Sequence, residues 1–381
     1  MIKRNLQEKI EYWLWKSKIL IIYWPRRVWK TTIAKTLLEK YWDPKDYFDC
    51  DEIQTRLAFQ TQDKEKLKNF IGNSKFIVID EAQRVQNIWL NLKILIDNFP
   101  DTQIIATWSS SFDLANKINE PLTWRHIDFF LSWFWINELT QKFNKFQIQN
   151  KIWDLLRFWM YPDIILSDDY YEKEVILRNI ASNYLYKDIL EHENIKKSDL
   201  IIKLLQALAL QVWNQVSDNE LANLLNVSRD TINRYINLLE KSFVIYRLWS
   251  FSRNIRNELK FSKKIYFYDN GIKNALINNF NTIEIRQDTW SLWENFLISE
   301  RQKYISNNML YRNTYFWRNH AQAEIDYIEE YEWKLHTYDF KWWNKKAKIP
   351  KAFIDAYPES SFDVINKDNF LEIPTKNLEK L

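Results

Sequence analysis

The sequence predicts an α/β fold that begins with a parallel sheet covered by helices on both faces, continues through a mainly helical segment and ends in an α+β domain. In the first third of the chain, apolar strand patterns alternate with helical patterns, which is typical of a parallel sheet. From about 137 to 211, apolar residues recur at three- and four-residue spacing, which indicates helices. Strand patterns return after about residue 260. The early strands are predicted at 19–24, 76–80 and 103–107, and the helices between them include 31–41 and 88–98.

We divide the 381 residues where these patterns change. The four expected parts are a sheet-and-helix core at 1–136, a helical connector at 137–211, a small helix-turn-helix unit at 212–255 and a C-terminal α+β domain at 256–381. The sequence contains no internal repeat that would point to a solenoid or another repeat architecture.

The overall composition is that of a globular protein, with 46% hydrophobic and 27% charged residues. It excludes a disordered chain, a collagen and a disulfide scaffold. The formal net charge of +4 is too small by itself to indicate a nucleic-acid partner. The one cysteine, Cys50, cannot form an internal disulfide, and no apolar run is long enough to span a membrane. These features favour a cytoplasmic protein with no membrane partner.

Glycine and tryptophan occur in abnormal numbers, 2 and 20 respectively. An average usage of roughly 7% would give about 27 glycines, which is close to the two counts combined. Tryptophans such as Trp108, Trp124, Trp159 and Trp333 stand where a chain needs glycine to turn, whereas Trp293 lies in an apolar setting that suits an indole. We interpret many of the tryptophans as UGA codons that should be read as glycine. The alternative is an unusually aromatic protein.

The segment after the first strand carries the clearest motif. With glycine at 24 and 29 it becomes GPRRVGKT, which matches the phosphate-loop pattern G-x-x-x-x-G-K-[ST]. Small residues are required because backbone N–H groups wrap the phosphates, and an indole at Trp29 would fill that space. We expect Lys30 to contact the β- and γ-phosphates and Thr31 to bind Mg²⁺. The expected nucleotide-binding residues are Trp24, Pro25, Arg26, Arg27, Val28, Trp29, Lys30, Thr31 and Thr32.

A second motif, FIVIDEAQR, follows about 50 residues after the loop. An apolar strand that ends in Asp80 and Glu81 is the Walker B arrangement. The aspartate orders Mg²⁺, and the glutamate polarises the attacking water. The alternative interpretation is a surface acidic pair at the end of a strand.

Two further residues are catalytic candidates. Ser109 follows the strand at 103–107, where a polar group can sense the γ-phosphate, although an ordinary serine turn would give the same pattern. Arg125, like Arg26 and Arg27, can supply a positive charge to the transition state, either within the chain or to a neighbouring subunit. A solvated surface arginine is the alternative, and the sequence leaves oligomer formation open.

The helix-turn-helix unit has two capped helices. Ser217 is placed to cap the first and Ser228 to cap the second, with a turn at 226–227. In DNA-binding versions the second helix enters the major groove. Packing or protein binding is the alternative role. The residues that would face DNA are Arg229, Thr231, Asn233 and Arg234.

The C-terminal domain contains a possible second site. Asp326 lies on one predicted strand, and Asp339 and Lys341 lie on the next, where alternation directs both to one face. This is the layout of PD-(D/E)XK nucleases, in which acids hold Mg²⁺ and the lysine steadies the attacking water. Glu294 resembles the acid that such folds supply from a helix. A surface Asp–Lys pair is the alternative.

With glycine restored, the segments GPRRVGKTT, FIVIDEAQR, ATGSSS and EPLTGR resemble the AAA-type ATPases of bacteria and archaea that carry a C-terminal domain of uncharacterised function. Later segments such as LLEKSFVIYRL and LWENFLISE are similar to the second half of that family, so the resemblance covers nearly the whole chain. It implies a P-loop NTPase core that binds ATP and Mg²⁺, a winged-helix middle and a restriction-nuclease-like end.

We therefore expect an ATPase whose nucleotide cycle switches the appended domains in a DNA-related process. Two alternatives stay open. One is a nucleic-acid-binding regulator that uses ATP as a switch with little turnover. The other is a scaffold without hydrolysis, which would follow if Trp24 and Trp29 are literal tryptophans.

Overall fold

The computed structural model describes residues 2–23, 30–41, 43, 46–108, 122–158, 160–184, 198–252, 262–319, 321–344 and 347–373. For residues 30–32, 183, 184 and 198 it describes the backbone alone. The chain divides into two compact units: Met1–Phe134 with Ser306–Met309, and Trp135–Ile305 with Leu310–Leu381. The first unit ends two residues before the predicted end of the core at 136. The second unit contains the other three expected parts.

The first unit is built on a parallel sheet, as predicted. Its strands are β1 (Ile19–Tyr23), β2 (Tyr47–Asp49), β3 (Phe76–Asp80), β4 (Gln103–Trp108) and β5 (His126–Phe130). They lie in the order β2-β3-β4-β1-β5, and each pairs with its neighbour in parallel. The predicted strands β1, β3 and β4 are confirmed to within one residue. Their side chains are almost all buried, as expected where helices cover both faces of a sheet.

Five helices accompany this sheet in the described residues, and the two that were predicted, at 31–41 and 88–98, lie within one residue of those positions. They are α1 (Leu6–Trp13), α2 (Lys30–Tyr41), α3 (Ile53–Phe59), α4 (Lys64–Ile71) and α5 (Ile88–Asn98). The Asp63 side chain caps α4 by accepting from the backbone N–H groups of Glu65 and Lys66. One apolar cluster joins the sheet to α4 and α5, with Ile79, Leu67 and Leu92 fully buried in it. This packing holds the strand ends in fixed positions.

The second unit starts with a helical region. The helices are α6 (Ile136–Leu139), α7 (Lys145–Asn150), α8 (Ile152–Phe158), α9 (Pro162–Leu166), α10 (Tyr170–Asn179), α11 (Ser198–Leu210), α12 (Asp218–Leu225) and α13 (Arg229–Lys241). The predicted caps are confirmed: Ser217 accepts from the N–H of Glu220 at 3.3 Å, and Ser228 accepts from the N–H of Thr231 at 3.1 Å. Asn226, in the turn between these helices, has a φ of 52°.

A mixed sheet of seven strands forms the rest of this unit, in the order β12-β11-β10-β9-β7-β8-β6. Its strands are β6 (Gln215–Val216), β7 (Ile245–Ser250), β8 (Lys263–Phe267), β9 (Asn313–Arg318), β10 (Glu324–Tyr331), β11 (Lys334–Phe340) and β12 (Ser361–Ile365). The helices α14 (Asn270–Leu276), α15 (Thr289–Asn307) and α16 (Lys351–Ala356) accompany it. The end of the chain is therefore α+β, as predicted.

The boundary predicted at 255/256 divides this sheet. β7 lies before it and β8 after it, and the two strands pair antiparallel from Ile245 with Phe267 to Trp249 with Lys263. β7 also pairs in parallel with β9. The helix-turn-helix unit and the C-terminal domain thus share one sheet.

Among the tryptophans that the structure describes, four have the left-handed backbone conformation that favours glycine. They are Trp15 (φ 63°), Trp124 (φ 69°), Trp213 (φ 75°) and Trp333 (φ 64°). A bulky residue at positive φ is uncommon because its Cβ crowds the backbone. Trp24 and Trp29, on which the interpretation of UGA as glycine first depended, lie outside the described residues.

Within the described ranges, no helix combines the length and the apolar character that crossing a membrane requires.

Candidate functional site

The carboxyl edge of the parallel sheet brings together the ends of three strands. β1 ends at Tyr23, β3 at Asp80 and β4 at Trp108. Because the strands are parallel, these ends lie at one edge, where open α/β sheets bind their ligands. Helix α2 begins at Lys30, after the segment that connects it to β1. A helix N-terminus at this edge suits an anionic ligand.

Asp80 is fixed from both sides by hydroxyl groups. It is 4% exposed at the end of β3. Its Oδ1 accepts from the Thr107 hydroxyl on β4, and its Oδ2 accepts from the Tyr47 hydroxyl on β2. Both carboxylate oxygens therefore have a defined direction, which a group that positions a metal ion requires.

Glu81 directly follows in an unusual conformation. Its backbone is left-handed, with φ 50° and ψ 42°. The same Thr107 hydroxyl that contacts Asp80 accepts from the Glu81 N–H at 3.0 Å, and the Glu81 carboxylate accepts from the Gln83 amide. Non-glycine residues at positive φ cost on the order of 1 kcal/mol or more and are concentrated at functional sites. The two neighbouring carboxylates therefore have different hydrogen-bond partners.

Thr107 and Tyr47 were not predicted from the sequence. The predicted polar residue after β4 was Ser109, which lies outside the described residues. Thr107 is fully buried and touches both members of the acidic pair. The sequence did contain a signal for Thr107, because it is a polar residue that follows an apolar run near the end of β4. Tyr47 lies on a strand of only three residues, which left no recognisable pattern.

Arg125 lies at the other edge of the sheet. It precedes β5, and its backbone carbonyl accepts from the N–H of Ile19, the first residue of β1. Its guanidinium pairs with Asp97, near the end of α5, at 2.7 Å. Arg125 is therefore not placed to act on a ligand at the carboxyl edge of the same sheet. Arg26 and Arg27 lie outside the described residues.

The carboxyl edge fits a nucleotide-bound magnesium ion. Mg²⁺ prefers oxygen ligands and usually binds one or two carboxylates together with substrate phosphates. Asp80 supplies an oriented carboxylate at the edge where α2 begins. Of the other residues expected here, Lys30, Thr31 and Thr32 are described by their backbone alone, in the first turn of α2.

In the second unit, the four residues predicted as a second site come together. The Lys341 ammonium lies 2.6 Å from Asp339 Oδ1. Asp326 accepts from the Phe340 N–H at 2.7 Å. Burial, followed by the charges of Glu294 and Asp339, raises the pKa of Asp326 well above its usual range. Although burial opposes it, the charge of Asp326 and the bond to Asp339 raise the pKa of Lys341.

Three more residues, missed from the sequence, complete this cluster. Lys264 on β8 lies 3.1 Å from Glu294 Oε1 and also pairs with Glu324 on β10. The Tyr266 hydroxyl, two residues further along β8, donates to Glu294. The carboxylates of Glu294 and Glu324 raise the pKa of Lys264 in spite of its burial. The segment KIYFYD indicated a strand here, but nothing in the sequence placed that strand beside the acids.

The acids of this cluster are paired with lysines and are not arranged as metal ligands. In the part of the chain that the structure describes, no three His, Cys, Asp or Glu side chains converge in a way that could hold a metal ion. Glu294, Asp326, Asp339 and Lys341 are neighbours, as predicted, and Lys264 also lies against Glu294. Their role as a metal site stays a prediction.

A groove of about 680 Å³ lies beside the helix-turn-helix unit. Arg229 and Asn233, two of the residues predicted to face DNA, line it together with Arg247 and Lys263. Of the other two, Thr231 is engaged with the Ser228 hydroxyl at 2.9 Å, and Arg234 is exposed over the Tyr235 ring. The groove thus combines these donor groups with the Asp218 carboxylate, which pairs with Lys263 at 2.6 Å.

Comparison with protein families divides the chain into three regions. Residues 16–140 match a family described as an AAA domain. Residues 149–283 match a domain of unknown function (DUF8612), and residues 291–377 match another (DUF4143). The parallel sheet with its acidic pair lies within the first match. The core is therefore similar to AAA domains, and a DUF4143 domain follows at the C-terminal end.

Relatives share this organisation over most of their length. An uncharacterised protein of Methanocaldococcus jannaschii is 26% identical over 399 residues, covering 98% of this chain and 86% of that protein. An uncharacterised protein of Mycobacterium tuberculosis is 23% identical over 353 residues, covering 89% and 74%. The similarity extends across both compact units.

Two solved structures share weaker similarity. The structure of the Aeropyrum pernix Orc1 protein in complex with DNA has a TM-score of 0.33 at 11% identity, covering 72% of this chain and 91% of that one. A DNA polymerase III gamma subunit-related protein of Thermotoga maritima has a TM-score of 0.28 at 13% identity, covering 62% and 98%.

Proposed function

We propose that this protein is a magnesium-dependent ATPase of AAA type whose nucleotide cycle switches the second unit in a DNA-related process. The observation that carries the proposal is the buried Asp80 carboxylate. It is held by Thr107 and Tyr47 at the carboxyl edge of a parallel sheet, within the region that matches an AAA domain. The phosphate-loop segment before α2, paired with the acidic end of β3 some 50 residues later, supports the same site.

In this proposal the loop 24–29 and Lys30 bind the phosphates, while Thr31 and Asp80 hold Mg²⁺. The metal ion, when bound, neutralises charge on the β- and γ-phosphates. Glu81 accepts a proton from the attacking water, and the Gln83 amide donates to its carboxylate. Thr107 positions both acids. Ser109 stays a candidate sensor, and Arg125 is a candidate only for the site of a neighbouring subunit.

The phosphate loop requires that Trp24 and Trp29 be glycine. We propose that these positions, like many other tryptophans here, are UGA codons read as glycine in the native organism. The four tryptophans at positive φ support this, because glycine has no Cβ to crowd the backbone there. Peptide mass spectrometry of the natively produced protein across 19–35 distinguishes the two residues directly.

DNA is the proposed partner of the second unit. The order α11, β6, α12, α13, β7, β8 matches that of a winged helix, which supports a role for α13 as the recognition helix. Arg229 and Asn233 on α13 line the groove described above. Protein binding through the same helix is the alternative, and turnover measured with and without DNA separates an ATPase from a switch with little turnover.

The test is steady-state ATP hydrolysis by the native-sequence protein and its Lys30→Ala variant. We expect Lys30→Ala to abolish turnover, since the ammonium group that contacts the phosphates is lost. Lys40→Ala is the matched control, because Lys40 is an exposed lysine on the same helix, paired with Glu11. Unchanged hydrolysis in Lys30→Ala would refute the assigned site. Absence of saturable ATP binding would favour the scaffold alternative.

A further inference from the structure

The acid cluster of the second unit, formed by Glu294, Glu324, Asp326 and Asp339, contains a cation that the protein itself supplies. The Lys264 ammonium contacts Glu294 at 3.1 Å and pairs with Glu324, and the Lys264 side chain is 1% exposed. We propose that this ammonium group takes the place of a divalent metal ion, so that the C-terminal domain keeps nuclease-like acids without binding metal through them. The proposal does not depend on the ATPase activity of the core.

The charge balance around Lys264 supports this role. Carboxylates removed from water are stable only when a positive charge or hydrogen-bond donors compensate them. An ammonium group has three donors and no acceptor, so it can bridge several carboxylates as a metal ion does. Lys264 bridges an acid of helix α15 and an acid of strand β10, while Lys341 pairs with Asp339.

The two aspartates have partners of their own. Asp326 accepts from the Phe340 N–H at 2.7 Å. Asp339 accepts from the Lys341 ammonium at 2.6 Å. Mg²⁺ demands nearly octahedral oxygen ligands at about 2.0–2.1 Å. While the Lys264 ammonium pairs with Glu294 and Glu324, the four acids do not present such a set.

The neighbouring lysine provides an internal comparison. Lys263 precedes Lys264 on β8, so its side chain points to the opposite face of the sheet. It pairs with Asp218 at 2.6 Å and is 5% exposed. Both lysines are buried and ion-paired, but only Lys264 faces the acid cluster. A change at Lys263 thus controls for the loss of a buried lysine from this strand.

The test is Mn²⁺ binding, followed by electron paramagnetic resonance on the full-length, nucleotide-free protein. All variants carry Asp80→Asn, which removes the metal-binding acid of the core. We expect no saturable Mn²⁺ site in this background. One site should appear in Lys264→Met and disappear again when Asp339→Asn is added. Lys263→Met should gain none.

Two outcomes overturn the proposal. One is a Mn²⁺ site in the Asp80→Asn background that Asp339→Asn abolishes. The other is a folded Lys264→Met variant that gains no site. If Lys264→Met does not fold, the test is thermal unfolding of the Asp80→Asn protein, in which the acid cluster is intact. Millimolar Mn²⁺ should leave its unfolding temperature unchanged. A rise in unfolding temperature that disappears when Asp339→Asn is added would contradict the proposal.

Discussion

At the scale of single residues, the candidate nucleotide site depends on one hydroxyl group that links two acidic residues. Thr107 donates to Asp80 and accepts from the Glu81 N–H at 3.0 Å. It thereby connects β4 to the end of β3 and supports the strained backbone of Glu81. A hydrogen bond to a charged group contributes about 1.5–3 kcal/mol. The effect on catalysis should be larger than that on nucleotide binding.

The variant Thr107→Val keeps the shape of the side chain and removes this hydroxyl. We expect ATP hydrolysis to fall roughly 10- to 100-fold, while the dissociation constant for ATP changes little. Steady-state kinetics and equilibrium binding measure the two effects. Thr102→Val is the matched control, since Thr102 lies just before β4 and its hydroxyl donates to the Ser74 carbonyl instead. Equal losses in both variants would indicate a general packing defect.

A second residue-scale prediction concerns Asp269, the buried N-cap of α14. Burial raises its pKa to about 7, and the charge of Lys303 is one of the weaker opposing effects. Its unfolded pKa is near 4, so between about pH 4 and 7 the folded state binds an extra proton. The free energy of unfolding should therefore fall as pH rises through this range, by at most about 1.4 kcal/mol per pH unit.

The variant Asp269→Asn tests whether Asp269 titrates in this range. The Ile272 N–H donates to the Asp269 carboxylate at 2.9 Å, and the amide oxygen of asparagine can accept the same bond. We expect the stability difference between this variant and the parent to grow in favour of the variant from pH 4 to 7 and then level off. Denaturant unfolding at several pH values measures it. A difference that does not vary with pH would show that Asp269 does not titrate there.

At the scale of helices and strands, local sequence predicted some elements well and others not at all. β3 and β4 are buried apolar runs next to helices, and the caps Ser217 and Ser228 are local signals, so these were found. β2 is three half-buried residues, and its place beside β3 is set by tertiary packing. The Tyr47 contact with Asp80 could not be inferred for the same reason.

The hairpin between β10 and β11 gives a prediction at this scale. Its two loop residues, Glu332 and Trp333, have φ values of 50° and 64°, and the flanking Tyr331 and Lys334 pair. Two-residue loops with both φ values positive favour glycine at the second position. Trp333 is 91% exposed and buries little surface. We expect Trp333→Gly to raise the free energy of unfolding by about 1 kcal/mol.

Thermal or denaturant unfolding measures the change, and Trp293→Gly is the opposite control. Trp293 is fully buried on α15 and packs against Phe296 and Phe370. Its removal should cost on the order of 3–5 kcal/mol. The two tryptophans thus separate positions that need glycine from those that need an indole. A destabilised Trp333→Gly variant would argue that this tryptophan is native.

At the scale of the whole molecule, the second unit is organised by a sheet that sequence analysis divided in two. The predicted boundary at 255/256 followed a change in pattern, but strand pairing is not visible in local pattern. β7 pairs with β8 on one side and with β9 on the other, across some 65 residues of sequence. The same sheet carries Lys264 to the acids of α15 and β10, which explains why those contacts were missed.

This continuity predicts how the chain can be cut. A fragment of residues 256–381 retains β8 but lacks β7, which pairs with both β8 and β9. It would expose unpaired backbone groups at the centre of a sheet, and buried or paired backbone groups are a condition of stability. We expect this fragment to be unfolded or aggregated, whereas a fragment of 135–381 keeps all seven strands and folds. Circular dichroism and limited proteolysis distinguish the two states. A folded, protease-resistant 256–381 fragment would mean that β9 to β12 form an independent domain and that β7 only adds to its edge.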